Sequence, residues 1–198
     1  MNDSVIVLAS GNAGKLRELN RILAPLHVTL HPQAQYQVPD VPEDGLSFVE
    51  NAIIKARAAA AHTGLPAIAD DSGLEVDHLN GAPGIYSARY SGAGDAGNND
   101  KLLRELTGIP DQQRSARYQC VLVYMRHATD PNPVVCQGSW EGRILTAPRG
   151  DGGFGYDPLF FLPEHGCSAA ELDTAIKNRI SHRARASALL LKALQKQH

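Results

Sequence analysis

The stretch SVIVLASGNAGKLRELNRIL, residues 4–23, decides the fold class. It opens with a short apolar run rich in β-branched side chains, residues 4–9, which predicts a buried strand. The small polar segment Ser10–Gly14 follows, and apolar residues from Leu16 to Leu23 then recur on one face of a predicted helix. A buried strand that passes through a tight loop into a helix is the repeating unit of α/β proteins.

Downstream, helical stripes and apolar runs continue to alternate, and a hairpin follows. The predicted elements are a loop at 32–45, a helix from about Leu46 with Ser47 and Glu50 as a capping box, a strand at Pro66–Ala69, a structured loop at 74–92, a surface helix at 98–107, strands at 115–126 and 133–140 joined by the turn Pro131–Pro133, a short strand at Leu159–Leu162, and helices at about 169–177 and 180–196. This order predicts an α/β fold with a mixed sheet. We expect one domain over residues 1–198, in which the hairpin half forms a second lobe beside a cleft.

The composition is that of an ordinary globular protein. Of the 198 residues, 43% are hydrophobic and 20% are charged, and the formal net charge is −2. That balance lacks the basic field that non-specific nucleic-acid binding requires, so we expect a small polyanion rather than a nucleic acid as the ligand. No apolar run approaches the ~18–20 residues of a membrane span, so no membrane partner is expected.

The cysteines indicate the compartment. The chain has an odd number of cysteines, the three residues Cys120, Cys136 and Cys167, and they show no C-x-x-C spacing. This pattern argues against a disulfide framework and against a thiolate zinc site, and it favours a reducing cytoplasm.

The segment SGNAGK, Ser10–Lys15, is a candidate phosphate-binding loop. It connects a predicted strand to a predicted helix, where backbone N–H groups and small residues suit a phosphate and Lys15 adds a positive charge. It is not a Walker A loop, because that motif needs glycine and a hydroxyl residue where Ala9 and Leu16 stand. An ordinary strand-to-helix turn is the alternative.

Carboxylates and a lysine form a second candidate group. Asn51 and Lys55 are four residues apart, hence on one helix face, and Asp70 and Asp71 follow an apolar strand. Neighbouring side chains of an extended chain point to opposite sides, so only one of the two acids is expected to face a given pocket. Mg²⁺ usually takes one or two carboxylates together with water and substrate phosphates. A solvated helix face and an Asx-turn or helix cap are the alternatives.

Two further segments suit a nucleotide base. The glycine-rich stretch Gly152–Pro158 surrounds Phe154, whose ring could stack on a base, although a tight loop with a core Phe is the alternative. Lys177–Arg183 concentrates basic side chains around Ser181, which is placed to cap the last helix. Arginine donors match the O6 and N7 acceptors of a 6-oxopurine, and a solvated helix start is the alternative.

Taken together and in order, these segments resemble the inosine triphosphate pyrophosphatase family, also called the non-canonical purine NTP pyrophosphatase or Ham1-like family. The most specific runs are ADDSGLEVDHLNGAPGIYSARYSG at 69–92, GGFGYDPLFF at 152–161 and ISHRARA at 180–186. The similarity extends from Val5 to the final helix.

The resemblance implies a long mixed sheet flanked by helices, two lobes with a nucleotide-binding cleft between them, and a homodimer. It implies hydrolysis of ITP, dITP and XTP to the monophosphate and pyrophosphate with Mg²⁺, which cleanses the nucleotide pool. Asp71 would activate water and bind metal. The substrate-binding positions would be Ser10, Gly11, Asn12, Ala13, Gly14 and Lys15, with Lys55, Ser72, Phe154, Gly155, Tyr156, Asp157, Lys177, His182 and Arg183.

The sequence departs from the family pattern at one place. Family members often carry a second metal-linked acid in an E-E-T-G stretch, where this chain has Pro42-Glu43-Asp44-Gly45, so Glu43 is the expected second ligand.

Two rival functions stay open. One is a pyrophosphatase for modified pyrimidine triphosphates, and the other is a nucleotide- or RNA-binding module without turnover.

Overall fold

The computed structural model describes residues 4–196 and contains an α/β architecture built on a mixed sheet. In chain order its elements are β1 Ser4–Leu8, α1 Ala13–Leu23, β2 Val28–Pro32, α2 Phe48–Thr63, β3 Ala67–Val76, α3 Gly94–Glu105, β4 Ser115–Met125, β5 Val134–Ile144, β6 Phe160–Leu162, β7 Cys167–Ser168, α4 Thr174–Ile180 and α5 His182–Gln195. The predicted fold class is confirmed. None of the helices within residues 4–196 combines the length and apolar character that a bilayer crossing requires.

The strands form one seven-stranded sheet in the order β2-β1-β3-β4-β5-β6-β7. Strand β1 pairs in parallel with both β2 and β3, whereas β6 pairs antiparallel with β5 and β7. The registered pairs between β1 and β3 are Val7 with Ala67 and Leu8 with Ile68. Because β1 ends at Leu8, the part of β3 from Asp70 onward extends past the carboxyl end of its neighbour.

This register corrects the prediction of a strand over Pro66–Ala69 with two acids just beyond its end. Strand β3 continues to Val76, so Asp70 and Asp71 lie within it. The strand continues because Leu74 and Val76 are completely buried in an apolar cluster of their own. The strand that ends near Asp70 is the neighbouring strand β1. The prediction identified the two acids correctly but assigned them to the end of the wrong strand.

The chain packs as two compact units. Within the described residues, the first unit contains 4–71, 120–138 and 185–196, and the second contains 72–119 and 139–184. The unit boundaries fall inside β3, β4, β5 and α5, which explains why no linker is visible in the sequence. The first unit buries two apolar clusters and the second unit buries one.

Other boundaries differ from the predictions because side chains decide where elements begin. Strand β2 was not predicted, and a short 3-10 turn at Gln33–Tyr36 occupies part of the predicted loop 32–45. The surface helix expected at 98–107 is α3, which begins four residues earlier and buries Leu102. The helix expected at about 169–177 begins at Thr174, because Asp173 caps it.

The predicted cap of α2 is confirmed with one difference. The Ser47 hydroxyl accepts a hydrogen bond from the Glu50 N–H at 3.3 Å. The Glu50 carboxylate accepts from the N–H of Leu46 at 2.9 Å, one residue before the position that a standard capping box uses. Ser181 also caps as predicted, because its hydroxyl accepts from the Ala184 N–H at 3.3 Å.

Arg114 joins three segments of the second unit and gives a test of what stabilises it. Arg114 is 3% exposed. Its guanidinium donates hydrogen bonds to the carbonyls of Leu106, Ile144 and Leu145, each at 2.8 Å. Arg114→Met should destabilise the protein by about 3 kcal/mol, since buried carbonyls would lose their donors. Urea denaturation checks this value. The exposed Arg104, changed to Met, is the control, and an equal loss in both variants would contradict the role.

Candidate functional site

The loop between β1 and α1 is exposed and organised by Asn12. Residues 11–14 are all exposed. The Asn12 Oδ1 accepts from the N–H groups of Gly14 at 2.8 Å and Lys15 at 3.1 Å, so this side chain is the N-cap of α1. The Asn12 N–H in turn donates to the Ser10 hydroxyl at 3.2 Å. Two of the amides that could hold an anion therefore already have an acceptor, and the cationic side chain of Lys15 is the stronger candidate for phosphate binding.

Lys15 makes a charged pair with Asp70. The ammonium of Lys15 lies 2.9 and 2.7 Å from the two carboxylate oxygens of Asp70. The Asp70 side chain is 2% exposed and that of Lys15 is 23% exposed. The pair joins the first turn of α1 to the middle of β3, and Asp71 has a different set of partners.

Asp71 is surrounded by polar groups from α2 and from the loop before it. Its Oδ1 lies 3.5 Å from the Lys55 Nζ, and its Oδ2 accepts from the Asn51 side-chain amide at 3.2 Å. The Lys55 Nζ is also 3.4 Å from a Glu43 carboxylate oxygen. Lys55 therefore lies close to the two acids predicted as metal ligands.

Asn51 fixes the loop that carries Glu43. Its Oδ1 accepts from the Gly45 N–H at 2.9 Å while its amide donates to Asp71. A Cβ at position 45 would lie 2.7 Å from that oxygen, so glycine is required for this close approach. The same contacts make Glu43, rather than the exposed neighbour Asp44, the acid beside Lys55.

The environment of Asp71 changes its proton affinity. Burial raises the pKa of this carboxyl above its ordinary value, and the charges of Glu43 and Asp70 add to the rise. The Lys55 ammonium and the Asn51 hydrogen bond oppose it and lower the pKa. A carboxylate that holds a proton more tightly than usual is a better general base near neutral pH.

Several residues around Asp71, although not Asp71 itself, line a cavity of about 370 Å³ in the first unit. Its lining includes Ser10, Gly11, Lys15, Glu43, Lys55 and Asp70. Its volume falls in the range typical of small-molecule sites, ~300–1,000 Å³. Within residues 4–196, no group of three or more His, Cys, Asp and Glu side chains converges as a metal centre. Two oxygen-donor side chains, Asp71 and Glu43, nevertheless fit Mg²⁺, which completes its shell with water and phosphate.

The second unit presents the predicted base-binding loop. The Phe154 ring is 64% exposed, although it is a large apolar side chain. Asp157 is buried, and its Oδ2 accepts from the Phe154 N–H at 2.8 Å and from the Lys177 ammonium. The Lys177 Nζ lies 5.1 Å from the centre of the Phe154 ring. One carboxylate thus orients both an exposed aromatic face and a cation.

His182 lies among aromatic rings that the sequence did not single out. Its ring stacks on that of Tyr118, with centroids 4.8 Å apart and planes 14° from parallel. Trp140 also stacks against it at 6.4 Å. The buried Tyr118 hydroxyl donates to the Asp157 Oδ1 at 3.4 Å, which links His182 to Lys177 through Tyr118 and Asp157. Burial raises the pKa of Tyr118 well above its usual value, so this hydroxyl stays a donor.

The remaining predicted residues lie beside these groups. Ser72 follows Asp71 in β3 and is half-buried, and Arg183 follows His182 in the first turn of α5 and is also half-buried. Tyr156 is buried, and its hydroxyl donates to the Ser87 carbonyl at 2.8 Å. Sequence reasoning missed Tyr118 and Trp140 because a long apolar strand gives no sign of which ring faces a histidine.

Comparisons with known proteins find relatives that match almost the whole chain. The model of the Ham1 family matches residues 6–193. A protein of Thioalkalivibrio sulfidiphilus named dITP/XTP pyrophosphatase is 62% identical over 192 residues, which cover 96% of this chain and 98% of that protein. A Vibrio cholerae protein of the same name is 58% identical and covers 97% of each chain. The solved structure of a HAM1 protein from Coxiella burnetii superposes with a TM-score of 0.94 at 50% identity, covering 98% of this chain and 99% of that one.

Proposed function

Because the chain belongs to the Ham1 family, we propose that it hydrolyses the non-canonical purine triphosphates ITP, dITP and XTP to the nucleoside monophosphate and pyrophosphate. Such an activity removes these nucleotides from the pool before they enter DNA or RNA. The observation that carries the proposal is the group around Asp71, a buried carboxylate beside Lys55 and Glu43. The names of the relatives, dITP/XTP pyrophosphatase, give the substrate class.

The first unit supplies the groups that the triphosphate needs. The ammonium of Lys15 would leave its contact with Asp70 to bind phosphate oxygens, and that of Lys55 would do the same from α2. Asp71 and Glu43 would hold Mg²⁺, which neutralises charge on phosphate oxygens and on the leaving pyrophosphate when it is bound. Ser10 and Gly11 would add polar contacts at the edge of the same cavity. Ser72, the residue after Asp71 in β3, would also touch the substrate.

The reaction is an attack of water on the α-phosphorus. The water oxygen forms a bond to phosphorus, the bond to the bridging oxygen of pyrophosphate breaks, and the Asp71 carboxylate accepts the proton of the water. Lysine charges stabilise the transition state because negative charge grows on the leaving oxygen. The raised pKa of Asp71 suits this role, and Asn51 orients the carboxylate by its hydrogen bond.

The second unit supplies groups for the base. The exposed Phe154 ring offers a stacking surface, and Lys177, His182 and Arg183 can donate hydrogen bonds to an oxygen at the purine 6-position. Adenine presents an amino donor at that position, which would oppose these donors. Hypoxanthine and xanthine present an acceptor, so the donors favour the 6-oxopurines.

Arg183 gives a direct test of base recognition. Arg183→Ala should lower kcat/KM for ITP by about 5- to 150-fold, the value of one bidentate contact, and should change kcat/KM for ATP little. The measured quantity is the ITP:ATP ratio on the same preparation. Arg185→Ala is the control, because this exposed arginine lies two residues further along α5. If both substrates lose activity by the same factor, Arg183 holds phosphate instead.

The experiment that tests the whole proposal is turnover with Mg²⁺ on a panel of ITP, dITP, XTP, ATP, GTP and a modified pyrimidine triphosphate. We expect pyrophosphate, and not orthophosphate, to be released from the first three substrates. A preference for the pyrimidine would replace the proposed substrate class, and nucleotide binding without any release would indicate a binding module.

We also propose that the protein is a cytoplasmic homodimer. The dimer follows from the family resemblance. The odd number of cysteines and the lack of C-x-x-C spacing suit a reducing compartment. Sedimentation equilibrium tests the dimer, since a monomer mass at micromolar concentration would contradict it.

A further inference from the structure

Helix α3 contacts the peptide that presents Phe154. The Gly155 N–H donates to the Asp95 Oδ2 at 2.7 Å, and the Gly155 carbonyl accepts from the Asn99 side-chain amide at 2.9 Å. Asp95 and Asn99 are four residues apart, so one face of α3 holds both polar groups of a single residue. The Asn99 amide also donates to the Asp95 carbonyl at 3.0 Å, which fixes its own orientation.

Gly155 directly follows Phe154, so its backbone conformation, together with the Asp157 hydrogen bond to the Phe154 N–H, sets the direction of the ring. Gly155 adopts a φ of 60°, in the left-handed region that other residues seldom occupy. A glycine with no other constraint would sample many conformations, and each would turn the neighbouring ring differently. Phe154 is 64% exposed and the Lys177 ammonium lies 5.1 Å from the centre of its ring, so the ring is not fixed by apolar packing.

Asn98 and Asn99 are adjacent on α3, but their side chains bond to different segments. Asn98 is 2% exposed and holds the helix to its own preceding segment, through the Ser91 N–H and the carbonyls of Ser87 and Ala88. Asn99 has a buried Oδ1 without a hydrogen-bond partner. A buried acceptor of this kind is unfavourable for stability. The Asn99 side-chain amide, in contrast to that of Asn98, reaches the loop that carries the aromatic ring.

We propose that Asp95 and Asn99 are positioning residues for base recognition, which hold the Gly155 peptide so that the Phe154 ring is already oriented to stack on a purine. They touch neither the base nor the reacting atoms and act through Phe154. The stacking surface is then pre-organised, and a bound base does not have to order the loop. This inference rests on the proposed function, since it assumes that Phe154 receives a base.

The test is a double-mutant cycle with IMP binding, measured by calorimetry, as the readout. Phe154→Ala should weaken IMP binding by about 5- to 150-fold, the range for loss of one base–aromatic stack. Asn99→Ala should weaken it by about threefold to tenfold, because the ring is present but not oriented. In the Phe154→Ala background, Asn99→Ala should change binding by less than about 1.5-fold, since there is no ring left to orient.

Three matched variants separate positioning from stability. Asn98→Ala removes more hydrogen bonds and should lower Tm more than Asn99→Ala, yet it should leave IMP affinity within about twofold of wild type. Asp95→Ala should weaken IMP binding, whereas Asp95→Asn should retain it, because an amide oxygen can still accept from the Gly155 N–H.

The outcomes are distinct. Additive losses in the cycle, or no loss in Asn99→Ala, would overturn the inference, as would wild-type protein that does not bind IMP. Pyrophosphate release from ITP, measured on the same preparations, judges the proposed function separately. Turnover with an additive cycle would therefore reject the positioning role and keep the enzyme.

Discussion

Asp71→Asn is expected to lower kcat for ITP by about 1,000-fold while the fold stays intact. The substitution keeps the size of the side chain, and an asparagine oxygen can still accept from the Asn51 amide that contacts Asp71 at 3.2 Å. It removes the negative charge next to Lys55 and the base that accepts a proton from water. Single-turnover kinetics at saturating Mg²⁺, with circular dichroism as a check on folding, measure both effects.

A matched control and a pH profile sharpen this result. Asp100→Asn makes the same change of charge at an exposed position of α3 and should leave kcat unchanged. In the wild-type protein, kcat should fall at acid pH, where protonation of Asp71 removes the base. Turnover of Asp71→Asn within about threefold of wild type would exclude Asp71 as the base.

Lys15→Ala should lower kcat/KM for ITP by about 100- to 1,000-fold, because a charge that stabilises the triphosphate in the transition state is lost. Binding of the triphosphate should weaken far more than binding of inosine, and it should become less sensitive to salt. The structure adds a second consequence. Asp70 would stay buried without the Lys15 ammonium at 2.7 Å, which should destabilise the fold by about 2–3 kcal/mol.

The double variant Lys15→Ala/Asp70→Asn separates these two effects. It also neutralises the buried side chain of residue 70, which has lost the Lys15 charge, so urea denaturation should show stability close to wild type. It does not restore the cation, so kcat/KM should stay low. If the double variant recovers activity together with stability, Lys15 acts on the fold and not on phosphate. Equal weakening for inosine and ITP would lead to the same conclusion.

Much of this protein is determined by local sequence. The apolar run at 4–9, the polar loop Ser10–Gly14 and the stripe of α1 predict the first strand–loop–helix unit, because burial and helical periodicity are local properties. Ser47 and Ser181 identify helix starts for the same reason, since a cap needs only the N–H groups two or three residues ahead. The motifs at 69–92 and 152–161 were enough to indicate the family, which the comparisons confirm.

Only the tertiary structure decided which groups meet. Asp70 and Asp71 are adjacent in sequence, but their side chains point to opposite sides of β3. Asp70 therefore contacts Lys15, whereas Asp71 contacts Asn51 and Lys55. The length of β3 could also not be predicted from the sequence, because the burial of Leu74 and Val76 depends on distant residues that pack against them. A contact between residues far apart in the chain depends on how all the intervening elements pack, and no short window of sequence contains that information. The same holds for Tyr118 against His182 and for Asn99 against Gly155, where separations of 64 and 56 residues are closed by packing alone.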